Sequence, residues 1–381
     1  MDSVIEIKRH WVTRCTDKGS VYSVWERNMP RIPDRFADCA IYMYSSERAA
    51  KDGQNAGGSG FLIHVPSTID PRMGHTYAVT NKHLIDGSDD GRFWTIRLTR
   101  KGGGIDTVVT KLDEWFPHED GDDVAVYPIG LNDGLKWWSV GTNTFLDRES
   151  IDVYKIGYGD DVFLMGRLIT QSGVEKNTPV MRSGLISLMA DKQELIRYRG
   201  RDNEAFLVEC RSISGFSGSP VFVMSDRGYH GEDAIKVSEL RNRKAGYKQP
   251  DRSTGMVLTP VAFNMTVGPF LLGIDFGHLP HWDDVYNGKR KTEYRAQSNT
   301  GIAGVVPSWK IMDVLNTPKF VEERESEESN LKKTLEDKPD SFVPDSASLN
   351  EPTEFTQQDF EQALRKASRR VEPSQSDAGK K

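Results

Sequence analysis

The sequence predicts an all-β fold. Short runs rich in Val, Ile, Phe and Tyr recur through the middle of the chain. Gly, Pro and Asp punctuate them, and no long helical periodicity occurs before residue 307. Many short strands with turn signals between them indicate a barrel or a sandwich.

The runs follow in close order. "GFLIHV" (60–65), "TYAVTN" (76–81), "FWTIRLTR" (93–100) and "DTVVTKL" (106–112) come first, and "KGGG" (101–104) joins the last two as a hairpin turn would. "DVAVYPI" (123–129), "DVFLMGRLI" (161–169), "FLVEC" (206–210), "PVFVM" (220–224) and "FLLGIDFG" (270–277) continue the pattern. The charged stretch 231–255 reads as an exposed insertion. "PSWKIMDVLN" (307–316) reads as a helix with Ile311, Val314 and Leu315 on one apolar face. Residues 317–352 are acidic, Ser-rich and poor in aromatics, the composition of a disordered linker. In 353–381, Phe360, Ala363, Leu364 and Ala367 share the face of an amphipathic helix, with Thr356 and Asp359 as its capping box. That helix docks on the body or on a regulatory partner, or is a frayed tail. A chain ending at 316 is expected to keep its core.

Composition narrows the function. The 381 residues carry 50 basic and 56 acidic side chains for a net charge of -6. Nucleic acid is therefore not expected as the main partner, since such domains are usually strongly basic. No apolar run reaches the roughly 20 residues that span a bilayer, so no membrane partner is expected. The N-terminus lacks the pattern of a secretion signal. Cys15, Cys39 and Cys210 are odd in number and widely spaced. They form no zinc pattern, and neither metal nor cofactor is expected. Reduced thiols and a cytoplasmic location are expected.

One stretch carries chemistry: "SISGFSGSPVFV" (212–223) places Ser217 between glycines ahead of an apolar strand. It is either a surface turn or a strained loop exposing one hydroxyl. A lone serine is a poor nucleophile and needs a base, itself oriented by a third group. "YAVTNKHLID" (77–86) puts His83 at the end of a strand-like run, and "GDDVAVYPI" (121–129) puts Asp123 directly before another. Histidine's ordinary pKa suits base work near neutrality. The order His, Asp, Ser suits two β lobes meeting at a cleft, with Asp123 fixing the tautomer of His83. His64 and His75 read as surface groups, and Asp120 and Asp122 as solvated loop charges. "GQNAGGSG" (53–60) has no following helix or Lys-Ser/Thr and is not read as a nucleotide loop.

These residues resemble the trypsin-like, chymotrypsin-fold serine peptidases, in motif style closest to the HtrA/Deg-type branch. "GFSGSP" resembles the family's nucleophile motif, "TNKHLI" its histidine loop, "DVAV" its aspartate strand and "GGSGFLI" the strand opening the first barrel. "RSGLIS" (182–187), "LLGIDFG" (271–277) and "GIAGVVPSWKIMDVL" (301–315) resemble second-barrel segments, so the likeness covers about 35–316.

The resemblance implies two six-stranded Greek-key β-barrels with the active site in the cleft between them, plus a short C-terminal helix and a disordered tail. The implied organisation is an N-terminal extension (1–34), a first barrel (35–145) with His83 and Asp123, and a second barrel (146–316) with Ser217. The acidic linker (317–352) and the helix and tail (353–381) complete it. It further implies backbone N–H groups of Gly215 and Ser217 as the oxyanion hole. A substrate pocket would lie near Arg211 and Asp275. Arg211 would favour an acidic substrate side chain or form a salt bridge elsewhere; Asp275 would add a hydrogen bond to the polar floor or merely end a strand. Secreted relatives carry Asp before the nucleophile, where this chain has Phe216, so activation by N-terminal clipping is not expected. No PDZ domain is read after 316. The implied function is an intracellular serine endopeptidase acting on protein or peptide, with a substrate or partner ordering the oxyanion loop. The alternative is a catalytically silent binding or scaffold protein of the same fold.

Overall fold

The computed structural model describes residues 11–12, 24–25 and 32–337, without 55, 71–72, 88–92, 170–172, 211, 247–262 and 289. The amphipathic segment and tail (353–381) lie outside the described residues.

Two sheets dominate. The first contains β1 (Ala40–Tyr44), β2 (Ala56–Pro66), β3 (Gly74–Thr80), β4 (Phe93–Arg100), β5 (Ile105–Lys111) and β6 (Ala125–Pro128). They pair antiparallel in the order β5-β4-β1-β2-β3-β6, and two-residue strands bring the sheet to nine. The second contains β7 (Asp161–Gly166), β8 (Val180–Leu188), β9 (Phe206–Glu209), β10 (Pro220–Tyr229), β11 (Phe263–Asn287) and β12 (Arg290–Pro307). These close into a barrel, β7-β8-β9-β12-β11-β10.

Counted along the chain, the second lobe's ring runs first, second, third, sixth, fifth, fourth. The first lobe has the same neighbours, less the ladder between its fifth and sixth strands among the described residues. That shared Greek-key order makes this an all-β, two-lobed, chymotrypsin-like fold.

Period-2 alternation explains how each strand serves two cores. Ile41, Met43, Leu62, Ala78, Ile96, Leu98 and Ala125 fill the first lobe. Their neighbours Phe61, Ile63, Val79 and Val126 face the other way. There they join Phe222, Leu271, Ile274, Phe276 and Val306 of the second lobe in one apolar cluster. The lobes are thus welded by a shared core, and the cleft residues above it inherit a rigid floor.

The helix expected at 307–316 forms as α1 (Ser308–Leu315), with Ile311, Val314 and Leu315 buried. Two expectations are corrected. The stretch from 231 is not a bare insertion: Glu232–Lys244 is helical and buries Ala234, Val237 and Leu240. Its charged residues hide a three-residue apolar spacing. Nor is the linker disordered at its start, because Pro318–Asp337 forms a helix. Proline suits a first helical position, and Glu, Lys and Leu are good helix formers. Phe320 supplies the anchor: it is fully buried, edge-on to Tyr77 at 5.3 Å and to Phe116 at 4.8 Å.

Candidate active site

His83 lies on a single helical turn, Lys82–Asp86, that follows β3 directly. Asp123 approaches from the segment before β6. The His83 backbone N–H donates to Asp123 Oδ1 at 2.8 Å, and Nδ1 lies 2.5 Å from Oδ2. Two bonds fix both carboxylate oxygens, so the ring cannot turn without breaking one. A proton on Nδ1 facing the carboxylate leaves the lone pair on Nε2, which has no hydrogen-bond partner among the described residues.

The surroundings hold Asp123 from every side. Buried Asn81 donates its Nδ2 to the Asp123 carbonyl at 2.8 Å, and the Asp123 N–H donates to Asn203 Oδ1 at 3.1 Å. Asn203 belongs to a small hairpin, Ile196–Tyr198 paired with Arg201–Asn203, whose tip residues Arg199 and Gly200 both have positive φ. Arg201 on this hairpin lies 3.5 Å from Asp123 Oδ1 and donates to Asp86 Oδ2 at 2.6 Å. Burial works to raise the Asp86 pKa, but Lys82 and Arg201 outweigh it and hold the carboxyl below its ordinary value.

Asp122 corrects its expectation. It is buried rather than solvated, 2.7 Å from Lys310 Nζ on α1, and its Oδ1 accepts from the Glu204 N–H at 3.2 Å. Glu204 in turn pairs with Arg148. Burial pulls the Lys310 ammonium down, yet Asp122 and Glu204 outweigh that and raise it. The closing helix is thereby tied to the segment that delivers Asp123.

The Ser217 loop is two consecutive turns. The Phe216 N–H closes the first onto Ile213 C=O at 3.1 Å, and the Ser219 N–H closes the second onto Phe216 C=O at 2.8 Å. Gly215 (φ +99°) and Gly218 (φ +89°) occupy the left-handed positions these turns need. A Cβ at Gly218 would also fall 1.9 Å from the Ser59 carbonyl oxygen, so no side chain fits there. Gly218 N–H donates to Asp275 C=O at 2.8 Å. Among the described residues, the N–H groups of Gly215 and Ser217 alone in the run 215–219 have no acceptor. Two free donors beside one hydroxyl is the arrangement that receives a developing oxyanion.

The half-buried Ser217 Oγ donates to Phe276 C=O at a long 3.4 Å and makes no bond to His83. A hydroxyl so weakly held changes rotamer at little cost, and such contacts are often loose without substrate.

Asp275 is fully buried, so its carboxyl does not face substrate. It joins two walls instead: Ser212 Oγ donates to Oδ2 at 2.9 Å, and Gly277 N–H donates to Oδ1 at 3.1 Å. Burial, opposed by these bonds, pushes its pKa up to about 7. Arg211 lies outside the described residues. His64 sits apart, half-buried and hydrogen-bonded to Ser139 at 3.0 Å. Buried Cys39 and Cys210 are unpaired thiols, and no metal-holding group of three occurs among the described residues. No helix among them is long and apolar enough to cross a membrane.

Sequence reasoning missed Ser59, Asn81, Arg201 and Asn203. Asn203 and Arg201 sit about 80 residues from Asp123, beyond any local pattern; the only local signal was "YRGRDN" (198–203), whose Arg-Gly centre suits a tight hairpin.

No protein-family profile matches the chain, and no curated protein matches it. Solved structures do. The apo MamO protease domain from Magnetospirillum magneticum is 12% identical, covering 74% of this chain and 99% of its own, at a TM-score of 0.41. An inactive form of the Rv3671c protease is 13% identical over 74% of this chain and 88% of its own, at 0.32. A mutant of Rv3671c from M. tuberculosis H37Rv, also inactive, gives 12%, 74%, 86% and 0.34. Likenesses this distant carry no argument, and the fold assignment rests on the strand order of the two lobes.

Proposed function

We propose that the chain is an intracellular serine endopeptidase acting on proteins or peptides through Ser217, His83 and Asp123. One observation carries the reading. In the run 215–219, among the described residues, only the Gly215 N–H and the N–H of Ser217 itself, the residue whose hydroxyl would attack, have no acceptor.

In the proposed reaction, Ser217 Oγ attacks the peptide carbonyl while its proton passes to His83 Nε2. Asp123 supports the imidazolium through Nδ1. The carbonyl π electrons become an oxyanion held by the two free N–H donors. Collapse expels the amine, which takes the proton from Nε2 and leaves an ester on Ser217. A water repeats the sequence, giving its proton to Nε2, and the acid product departs as Oγ is reprotonated.

A second reading, a silent binding or scaffold protein, draws on the bond from Ser217 Oγ to Phe276 C=O instead of to His83. A fluorophosphonate probe separates the two, because it requires an activated serine and a formed oxyanion hole. Labelling is expected, lost in Ser217→Ala and strongly reduced in His83→Ala. Turnover of a peptide substrate by Ser217→Ala should fall at least about a thousand-fold. Absence of labelling, with and without candidate substrates or partners, would sink the peptidase reading.

A further inference from the structure

We propose that Ser59 is a positioning residue: from the opposite lobe it sets the two backbone donors of the oxyanion hole. The proposal rests on the acyl-transfer reading of Ser217.

Ser59 lies on β2 and is fully buried. Its hydroxyl donates to Gly215 C=O at 2.7 Å and accepts from the Arg167 N–H at 2.9 Å. Its own N–H donates to Ser217 C=O at 2.8 Å, and its C=O accepts from the Thr80 hydroxyl at 2.7 Å. Every polar group of the residue is engaged. The two residues it grips by their carbonyls are the same two whose N–H groups have no acceptor among the described residues.

The direction of the hydroxyl bond is forced. A backbone N–H can only donate, so Arg167 fills a lone pair on Oγ, and the Oγ proton is left to point at Gly215 C=O. Gly215 lacks a Cβ, so its own backbone restrains the loop little. Clamping its carbonyl holds the first turn, and clamping the Ser217 carbonyl holds the residue whose N–H is the second donor. Phe216 between them offers no charge to anchor the loop, so the clamp comes from across the cleft. Thr80 completes it, because it directly precedes Asn81 and the turn bearing His83. One serine thus ties base, donors and nucleophile into one frame.

Removal of the hydroxyl leaves Gly215 C=O and Arg167 N–H unpaired in a dry interior, and the loop is expected to relax toward other acceptors. The experiment compares the full chain, Ser59→Ala and Ser59→Thr by fluorophosphonate labelling rate and by amide hydrogen exchange. Ser59→Ala should label at least about tenfold more slowly, less than the loss from deleting a donor outright. Exchange should quicken at 212–219 while both lobes keep their protection, and Ser59→Thr, which retains the hydroxyl, should recover most of the rate. Labelling of Ser59→Ala at the wild-type rate overturns the proposal. So does loss of protection throughout both lobes, or a Ser59→Thr as slow as Ser59→Ala. A wild-type chain that takes no label removes the peptidase reading instead. Faster exchange confined to 212–219 then still supports the clamp, and unchanged exchange there overturns it.

Discussion

The guanidinium of Arg182 lies 5.2 Å from the centre of the Phe216 ring. The ring is fully buried, and a Cβ on Gly166 would come within 3.0 Å of it. Aromatic packing under a cation therefore holds the residue before Ser217. Phe216→Ala should cost about 3–5 kcal/mol in urea unfolding and slow probe labelling. Phe216→Leu should keep most of both. Equal stability of Phe216→Ala and wild type would refute this account.

Asp275 gives stability a pH signature. Its folded pKa, pushed by burial to about 7, lies above the ordinary 3.8. The folded chain keeps a proton that the unfolded chain releases. This stabilisation is complete below the unfolded value and is lost as pH rises toward 7. The slope is of order 1 kcal/mol per pH unit within that window. Asp275→Asn should flatten it, as read from urea midpoints between pH 4 and 8. Identical slopes for the two proteins would contradict the prediction.

The hairpin at 196–203 offers a contrast of magnitudes. Asn203→Ala orphans the buried Asp123 N–H and should cost about 1–3 kcal/mol. Arg201 is about a third exposed and 3.5 Å from Asp123, so Arg201→Gln should cost under about 1 kcal/mol. Melting of both variants should show the larger loss in Asn203→Ala, with slower probe labelling. The reverse ranking would assign the support of Asp123 to charge.

Phe320 revises where the chain can be cut. Ending at 316 removes a fully buried ring from between Tyr77 and Phe116, a loss of about 3 kcal/mol or more. Ending at 337 keeps that ring. The two truncations should differ by several degrees in Tm; coincident melts would mean that Phe320 contributes nothing.

What could be read in advance was what local pattern encodes. Alternating Val, Ile and Phe announced the strands, and motif context singled out His83, Asp123 and Ser217. The clamp of Ser59 on Gly215 spans 156 residues, and the Asn203 bond to Asp123 spans 80. Neither leaves a periodic trace. Asp123 is told from Asp122 by its place directly before the strand, but that Asp122 is a buried ion pair and not a solvated charge shows only when Lys310 arrives from the closing helix. Composition misled at 318–337, where charge alone suggested disorder and a single aromatic ring supplied the anchor.

The two lobes repeat one strand order, yet neither owns the candidate site. Ser217 is delivered by one lobe, while the serine that grips its loop is delivered by the other. The proposed site is therefore a seam, not a domain. Its tolerance to change is set by how well the two surfaces keep their register, because a shift of either is felt at the same hydroxyl.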